Sequence, residues 1–365
     1  MYLASYLLSI GLTLGTASPA AETGHAPASL SSDAVPAVIL PDTGAPQAPV
    51  PPSAPEEAPA NRGRSVVSFR WENDVIGGTD DNYTDGISLT LSRDGRGPLG
   101  GLWGWFGPVD GRLVSSYELG QLMFTSRDLR LAVPDPTDRP YAGVLFAALS
   151  TEYIHGNRLD GLKVIAGVVG PASLAAQAQK LFHSIIRSPQ PQGWAYQLKN
   201  EPILNIVYEH RRRYTLLESK AGWGADAIPV VGAMLGTFLI QAEADAQFRL
   251  GYNLPADFGT TLMRGMGNLP FPRSGEDATS ARQFGAYVFA GGGGNLVARN
   301  LTLDGNTFRS GPRVAKEPAF GAAEVGATVW SRWFEVTFTY VYWGREFQNQ
   351  RKASRFGAAI VAFHF

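Results

Sequence analysis

Three polar clusters carry residue types that could do chemistry. The first is Glu72-Asn73-Asp74, followed by Asp80-Asp81-Asn82-Tyr83-Thr84-Asp85-Gly86. Carboxylates, amides and a hydroxyl are the oxygen donors that a hard cation such as Ca²⁺ takes. A polar hairpin would use the same residues, since Asp, Asn and Gly are turn formers. The second cluster is Asp138-Arg139-Pro140-Tyr141-Ala142-Gly143, with Arg127 and Arg130 before it. Those two cations could contact an anionic group or polarise a carbonyl; equally, they could be solvated loop charges beside a structural Asp–Arg–Pro turn. The third runs from Leu174 to Ile186. Its apolar positions recur at three and four residues after Gly170-Pro171, which predicts a helix. Gln179 and His183, four apart, share a face of it. Of the five histidines, only His183 falls on such a helix. Imidazole is the natural general base near neutral pH, although a lone helical histidine is often only structural. The chain has no cysteine and no Gly-x-Ser-x-Gly, so thiolate chemistry and a serine elbow are excluded. A hydrolase here would activate water with His183 and stabilise the oxyanion with a cation, a metal or an arginine.

The elements that must position these clusters are strands. Along 333–343, Phe334, Val336, Phe338, Tyr340 and Tyr342 alternate with Glu335, Thr337 and Thr339. A strand sorts such residues onto two faces, whereas a helix scatters them. The same period recurs near 65–75, 83–93, 114–125, 142–154, 162–170, 201–214, 218–231, 238–252, 283–296, 319–330 and 354–365. That makes about twelve strands, many long enough to cross a bilayer when tilted. The composition agrees: 42 glycines, 44% hydrophobic and only 17% charged residues suit strands and tight turns. A net charge of −1 gives no reason to expect a nucleic-acid partner. Aromatic residues gather near strand ends, the inward face reads as small and polar, and the chain closes on Phe363-His364-Phe365. The fold expected is an all-β, transmembrane antiparallel barrel over 65–365.

Residues 1–21 have the apolar stretch and small-residue cleavage site of an export signal, although no Lys or Arg precedes the stretch. Residues 22–64, rich in Pro and Ala, are expected to be an extended, mobile linker. With the N-terminus periplasmic, strand parity puts the connections 75–82, 126–141 and 171–200 on the outer rim, where all three clusters fall. The connection 253–281 counts as an inner turn but is long for one, so it is either an elaborated loop or a missed strand pair. Glu209-His210-Arg211-Arg212-Arg213 is expected to anchor to lipid phosphates at a strand end.

In order and spacing, four motifs resemble the outer-membrane lipid A 3'-O-deacylase family. They are Glu72-Asn73-Asp74; Tyr83-Thr84-Asp85-Gly86; Asp138 to Gly143; and Gln179-Lys180-Leu181-Phe182-His183 with Gly193-Trp194-Ala195-Tyr196-Gln197-Leu198. The resemblance covers about 65–365. It implies a twelve-stranded barrel in the Gram-negative outer membrane, with a short helix in an outer loop and a Ca²⁺-dependent carboxylic ester hydrolase site at the outer rim. The substrate implied is lipid A of the outer-leaflet lipopolysaccharide, and the chain is expected to act as a monomer. The family's Asn–Asp pair falls on Asn73 and Asp74, its Thr on Thr84 and its catalytic His on His183, with Gln179 or Thr84 positioning the water. The family's active-site Lys has no clear counterpart; Arg127 or Arg130 is nearest. An acidic residue six positions after the His is Pro189 here. The rival expectation is a non-catalytic barrel, either a structural protein or a narrow channel. A phospholipase-like barrel is a third.

Overall fold

The two-residue alternation becomes a closed antiparallel barrel. The computed structural model describes residues 64–74, 82–106, 110–260, 270–272 and 284–365. The expected export signal and linker lie outside the described residues, apart from Arg64. In chain order the strands are β1 (Ser65–Asn73), β2 (Asn82–Asp94), β3 (Arg112–Thr125), β4 (Ala142–His155), β5 (Arg158–Val169), β6 (Glu201–Arg212), β7 (Tyr214–Glu218), β8 (Trp223–Gly236), β9 (Leu239–Tyr252), β10 (Phe284–Asn300), β11 (Ala319–Ser331), β12 (Phe334–Trp343) and β13 (Ser354–His364). Helix α1 (Ala175–Ile186) lies between β5 and β6, and α2 (Leu301–Asp304) follows β10.

Segments β6 and β7 form one stave. Against β8 the register carries over from one to the other, with Arg211 opposite Val230 and Tyr214 opposite Ala227, and it shifts only beyond Thr215. The lapse between them falls opposite Pro229, which has no backbone N–H to donate. Twelve staves therefore make the ring, each beside its neighbour in sequence, and β1 against β13 completes it. Ser65 and Phe365 exchange main-chain hydrogen bonds at 2.8 and 2.9 Å, so the C-terminal Phe-His-Phe strand is the closing seam. The strand expected over 218–231 is shifted to Trp223–Gly236, because the sixth stave runs on past Arg213 to Glu218.

The faces sort as the period requires. Leu89, Leu119, Leu204, Ile206, Leu235, Phe338 and Phe363 point outward and are exposed, while Thr90, Glu118, Asn205, Glu335 and Thr337 between them are buried inside. An apolar belt of this extent around a barrel is the surface that hydrocarbon covers.

The interior differs from the small, polar face expected. Its outer half holds an apolar cluster that includes Phe124, Val144, Phe146, Trp343 and Phe356. Below this lie charged pairs such as Lys163–Glu118 and Arg249–Asp226. The inner end is filled by the start of the long connection after β9, which is a loop and not a strand pair over its described residues. Arg211 donates to the carbonyls of Phe258 and Gly259 at 2.9 and 3.0 Å, and Arg249 pairs with Asp257. Arg211 is thus turned inward to hold this loop and its neighbour Glu209, rather than outward to lipid phosphates as expected.

Arg139, from the second cluster, braces the outer half. Its side chain is fully buried, with Nη1 on Glu346 at 2.8 Å, Nη2 on Thr302 at 3.1 Å and the guanidinium 4.7 Å from the Phe124 ring centroid. Removing one member of such a pair strands a buried charge, at a cost of about 3–5 kcal/mol. R139A is expected to lower the temperature at which the barrel loses its compact electrophoretic form. An unchanged midpoint would show that the pair contributes nothing.

Candidate active site

The candidate site lies on the outside of the barrel wall at its outer rim. In β1, Trp71 and Asn73 share the outward face with Phe69, while Glu72 turns inward to Arg70 and the Tyr83 hydroxyl. Glu72 therefore leaves the oxygen cluster that it begins in the sequence. In β2 a register shift falls between Tyr83 and Asp85 where the strand pairs with β3. Such a bulge inserts one residue and re-aims its neighbours. It sends Tyr83 inward among Phe124, Trp343 and Phe356, and it leaves both Thr84 and Asp85 facing the cleft. Gly86 has a steric reason: a side chain there would collide with the Tyr83 hydroxyl that reaches Glu72.

Helix α1 lies against the wall over β3 and β4. Ala175, Gln179 and His183 form its buried stripe, at four-residue spacing. Leu181 and Ile185 point away from the barrel and are 63% and 70% exposed. The helix is thus amphipathic in the sense that suits lipid, apolar outward and polar toward the wall. Both ends turn through left-handed residues, Leu174 (φ 59°) and Arg187 (φ 57°). The second turn lets Ser188 N–H cap the His183 carbonyl and brings the Pro189 carbonyl back to the imidazole. A small apolar cluster of Met123, Leu129, Tyr141, Ala175 and Trp194 docks the helix. Gly143 and Gly193 permit the close approach: a methyl on the first would overlap Ala175 and Ser173, and on the second the Tyr141 ring.

Between wall and helix is a cleft of about 500 Å³, lined by Asn73, Thr84, Asp85, Gln179 and His183 among apolar residues that include Phe69, Trp71, Ile87, Leu181 and Ile185. His183 Nδ1 lies 2.7 Å from the Pro189 carbonyl oxygen. A carbonyl only accepts, so Nδ1 carries the proton and Nε2 of the neutral ring carries the lone pair. Gln179 Oε1 accepts from Trp194 Nε1 at 2.6 Å, which fixes the amide and leaves Nε2, buried and without a partner among the described residues, as its donor end. Thr84 and Thr125 share a hydroxyl hydrogen bond of 2.6 Å. Asp85 Oδ2 accepts from Asn73 Nδ2 at 2.8 Å and Trp71 Nε1 at 3.3 Å.

Asn73, Thr84, Gln179 and His183, separated by more than a hundred residues, are thus brought together as the sequence reading expects. Asp74 is buried at the end of β1 beside them but does not line the cleft. Arg127 does not reach it either. Its main-chain N–H is bound to Asp138, and its loop is braced by Ser126 on the Arg139 carbonyl. Arg130 is engaged locally: its N–H and guanidinium hold the Asp128 carboxyl below the usual carboxylate range. Two participants escape the sequence reading. Trp194 lies inside a recognised motif with no role attached, and the Pro189 carbonyl is a main-chain group with no sequence signature; Asp85 is read there only as one oxygen donor of the first cluster.

Among the described residues, no three His, Asp or Glu side chains converge as a metal site. The wall side of the cleft nevertheless offers hard oxygens, from the Asn73 amide, the Thr84 hydroxyl and the Asp85 carboxylate, and Asp74 follows Asn73 in the chain. That chemistry fits Ca²⁺, which also draws on carbonyls and water. Asp80 and Asp81, in the adjoining connection, lie outside the described residues.

The sequence model of a family described as "Outer membrane protein LpxR" matches residues 45–365. Among solved structures, LpxR from Salmonella typhimurium is similar at 19% identity and a TM-score of 0.67, over 82% of this chain and 100% of that one. The beta domain of the Bordetella autotransporter Brka is similar at 12% identity and a TM-score of 0.42, over 83% of this chain and 99% of its own. No curated protein matches the chain. With the family match spanning the whole barrel, the chain belongs to the LpxR family and is a β-barrel of the Gram-negative outer membrane.

Proposed function

We propose that this barrel is a carboxylic ester hydrolase that removes an ester-linked acyl group, the 3'-acyloxyacyl chain, from lipid A in the outer leaflet. The observation that carries the reading is a buried histidine with Nδ1 tied to a carbonyl, in a cleft otherwise lined mainly by apolar, lipid-facing residues. The acyl chain lies against Phe69, Ile87, Leu181 and Ile185, which puts its ester at the level of His183. Nε2 of His183 takes a proton from water as the water oxygen bonds to the ester carbonyl carbon. The same proton then passes to the departing sugar oxygen, leaving a free hydroxyl and a fatty acid. The Gln179 amide N–H donates to the water or to the developing oxyanion. Held by Asp74, Asn73 and Thr84, a Ca²⁺ ion would supply polarisation of the ester carbonyl when bound. Pro189 keeps the imidazole oriented through its main chain, the task an acidic side chain would otherwise perform.

The channel alternative is weakened by the interior, which is filled at its outer half by the apolar cluster and at its inner end by the loop at 253–260. The test is mass spectrometry of lipid A from cells that do or do not express the full chain, with and without a Ca²⁺ chelator. Loss of one acyloxyacyl group on expression, reversed by chelation, is expected. A lipid A profile that expression leaves untouched would sink the reading and favour a structural barrel.

A further inference from the structure

Asp85 has no role in the reaction just described, yet it occupies the middle of the site. It is 8% exposed, on an outward wall whose neighbouring residues face lipid, where an uncompensated carboxylate is costly. No Lys or Arg lines the cleft around it. A carboxylate buried there without a basic partner among the described residues calls for a cation in the same pocket. Its hydrogen bonds add a second argument. Asn73 Nδ2 and Trp71 Nε1 both donate to Oδ2. The Asn73 amide is therefore held with its nitrogen toward Asp85 and its oxygen on the other side. Asp85 stands opposite Asn73 in the regular β1–β2 register, and the β-bulge adds Thr84 to the same side, since an unbroken β2 would send Thr84 to the barrel interior and part it from both.

Building on the proposed function, we infer that Asp85 is a positioning residue for the cation site. It fixes the Asn73 amide so that its oxygen is the ligating end, and it supplies a second negative charge beside Asp74. Carboxylates that orient a metal's ligands typically govern affinity by about 10–100-fold.

The experiment uses the full chain purified in detergent micelles, with Tb³⁺ luminescence excited through tryptophan as the probe and Ca²⁺ as competitor. Trp71, which donates to Asp85, is a built-in sensitiser. D85N keeps an acceptor for Asn73 but loses the charge; D85A loses both. D85N is expected to weaken Ca²⁺ competition about tenfold and D85A by up to about a hundredfold. D128N, at an exposed loop carboxylate, should match the parent. Heat-modifiable migration of each variant reports the fold separately. If parent, D85N and D85A bind Ca²⁺ equally well, the role assigned to Asp85 is overturned while the cation survives. If the parent itself binds no Ca²⁺, both are overturned, and lipid A deacylation by the parent still reports whether the hydrolase reading stands.

Discussion

H183A is expected to lose lipid A deacylation by between about 10²- and 10⁴-fold, the range that a positioned general base contributes. Three features make the loss specific to chemistry. The imidazole is 4% exposed and lies on the wall side of α1, so no other titratable side chain of the helix can take its place. Its Nδ1 is committed to Pro189, which leaves one nitrogen for water. The apolar lining gives the acyl chain its seat without His183, so binding of lipid should persist. The barrel should fold, because its ring of main-chain bonds does not involve α1. The variant is therefore expected to migrate as a heat-modifiable barrel and to insert normally. S184A, one residue on, removes only an exposed hydroxyl bound to the Leu181 carbonyl and should retain full activity. Deacylation by H183A at more than a tenth of the parental rate would remove the histidine from the mechanism.

How much of this was legible in the sequence follows from which physical signals are local. Side-chain alternation is local, so the twelve staves and their parity could be read off Phe334 to Tyr342 and its counterparts. Parity then placed His183, Asn73 and Asp74 at one rim, because each residue's distance along its strand is fixed by the strand's rise. What parity could not give is the face. A regular β2 puts Thr84 inside the barrel; the bulge that turns it out depends on the pairing with β3 and has no mark in the sequence around Thr84. The orientation of His183 depends on a main-chain carbonyl, and every residue has one. The residue that supplies it happens to be Pro189, so reading that position for an acidic side chain finds a departure where the geometry keeps the hydrogen bond. The run at 209–213 misleads for the opposite reason. A cluster of arginines looks like a surface anchor, but strand alternation turns Arg211 inward, where it meets a loop from more than forty residues away.

The same reasoning makes Gly143 the most telling position outside the chemistry. It ends the Asp138 to Gly143 motif, and sequence alone assigns it only a turn or strand start. In the barrel it sits on the outward face of β4 under the first turn of α1, where the Ala175 side chain and the Ser173 hydroxyl occupy the space of a side chain. These neighbours cannot retreat cheaply. Ser173 O accepts from Gln121 Nε2 at 2.6 Å, and the hydroxyl of Ser173 is bound to the Gly170 carbonyl at 2.6 Å. Gly170 itself has φ 102° and is packed against the main chain at Lys199 and Asn200, a conformation that a side chain would strain. G143V is thus expected to lift the start of α1 from the wall and widen the cleft, taking Gln179 and His183 away from Asn73 and Thr84. A misplacement of about 1 Å can cost on the order of 10²-fold in rate, so activity should fall at least that far. The β4 ladder is untouched by a β-branched residue, which strands favour, so the thermal midpoint of the barrel should change little. The contrast with H183A is in the binding step. H183A should retain acyl-chain binding in the cleft, measured with a fluorescent fatty-acyl probe, whereas G143V should weaken it together with turnover. Parental turnover in G143V would mean that α1 is not seated by this contact.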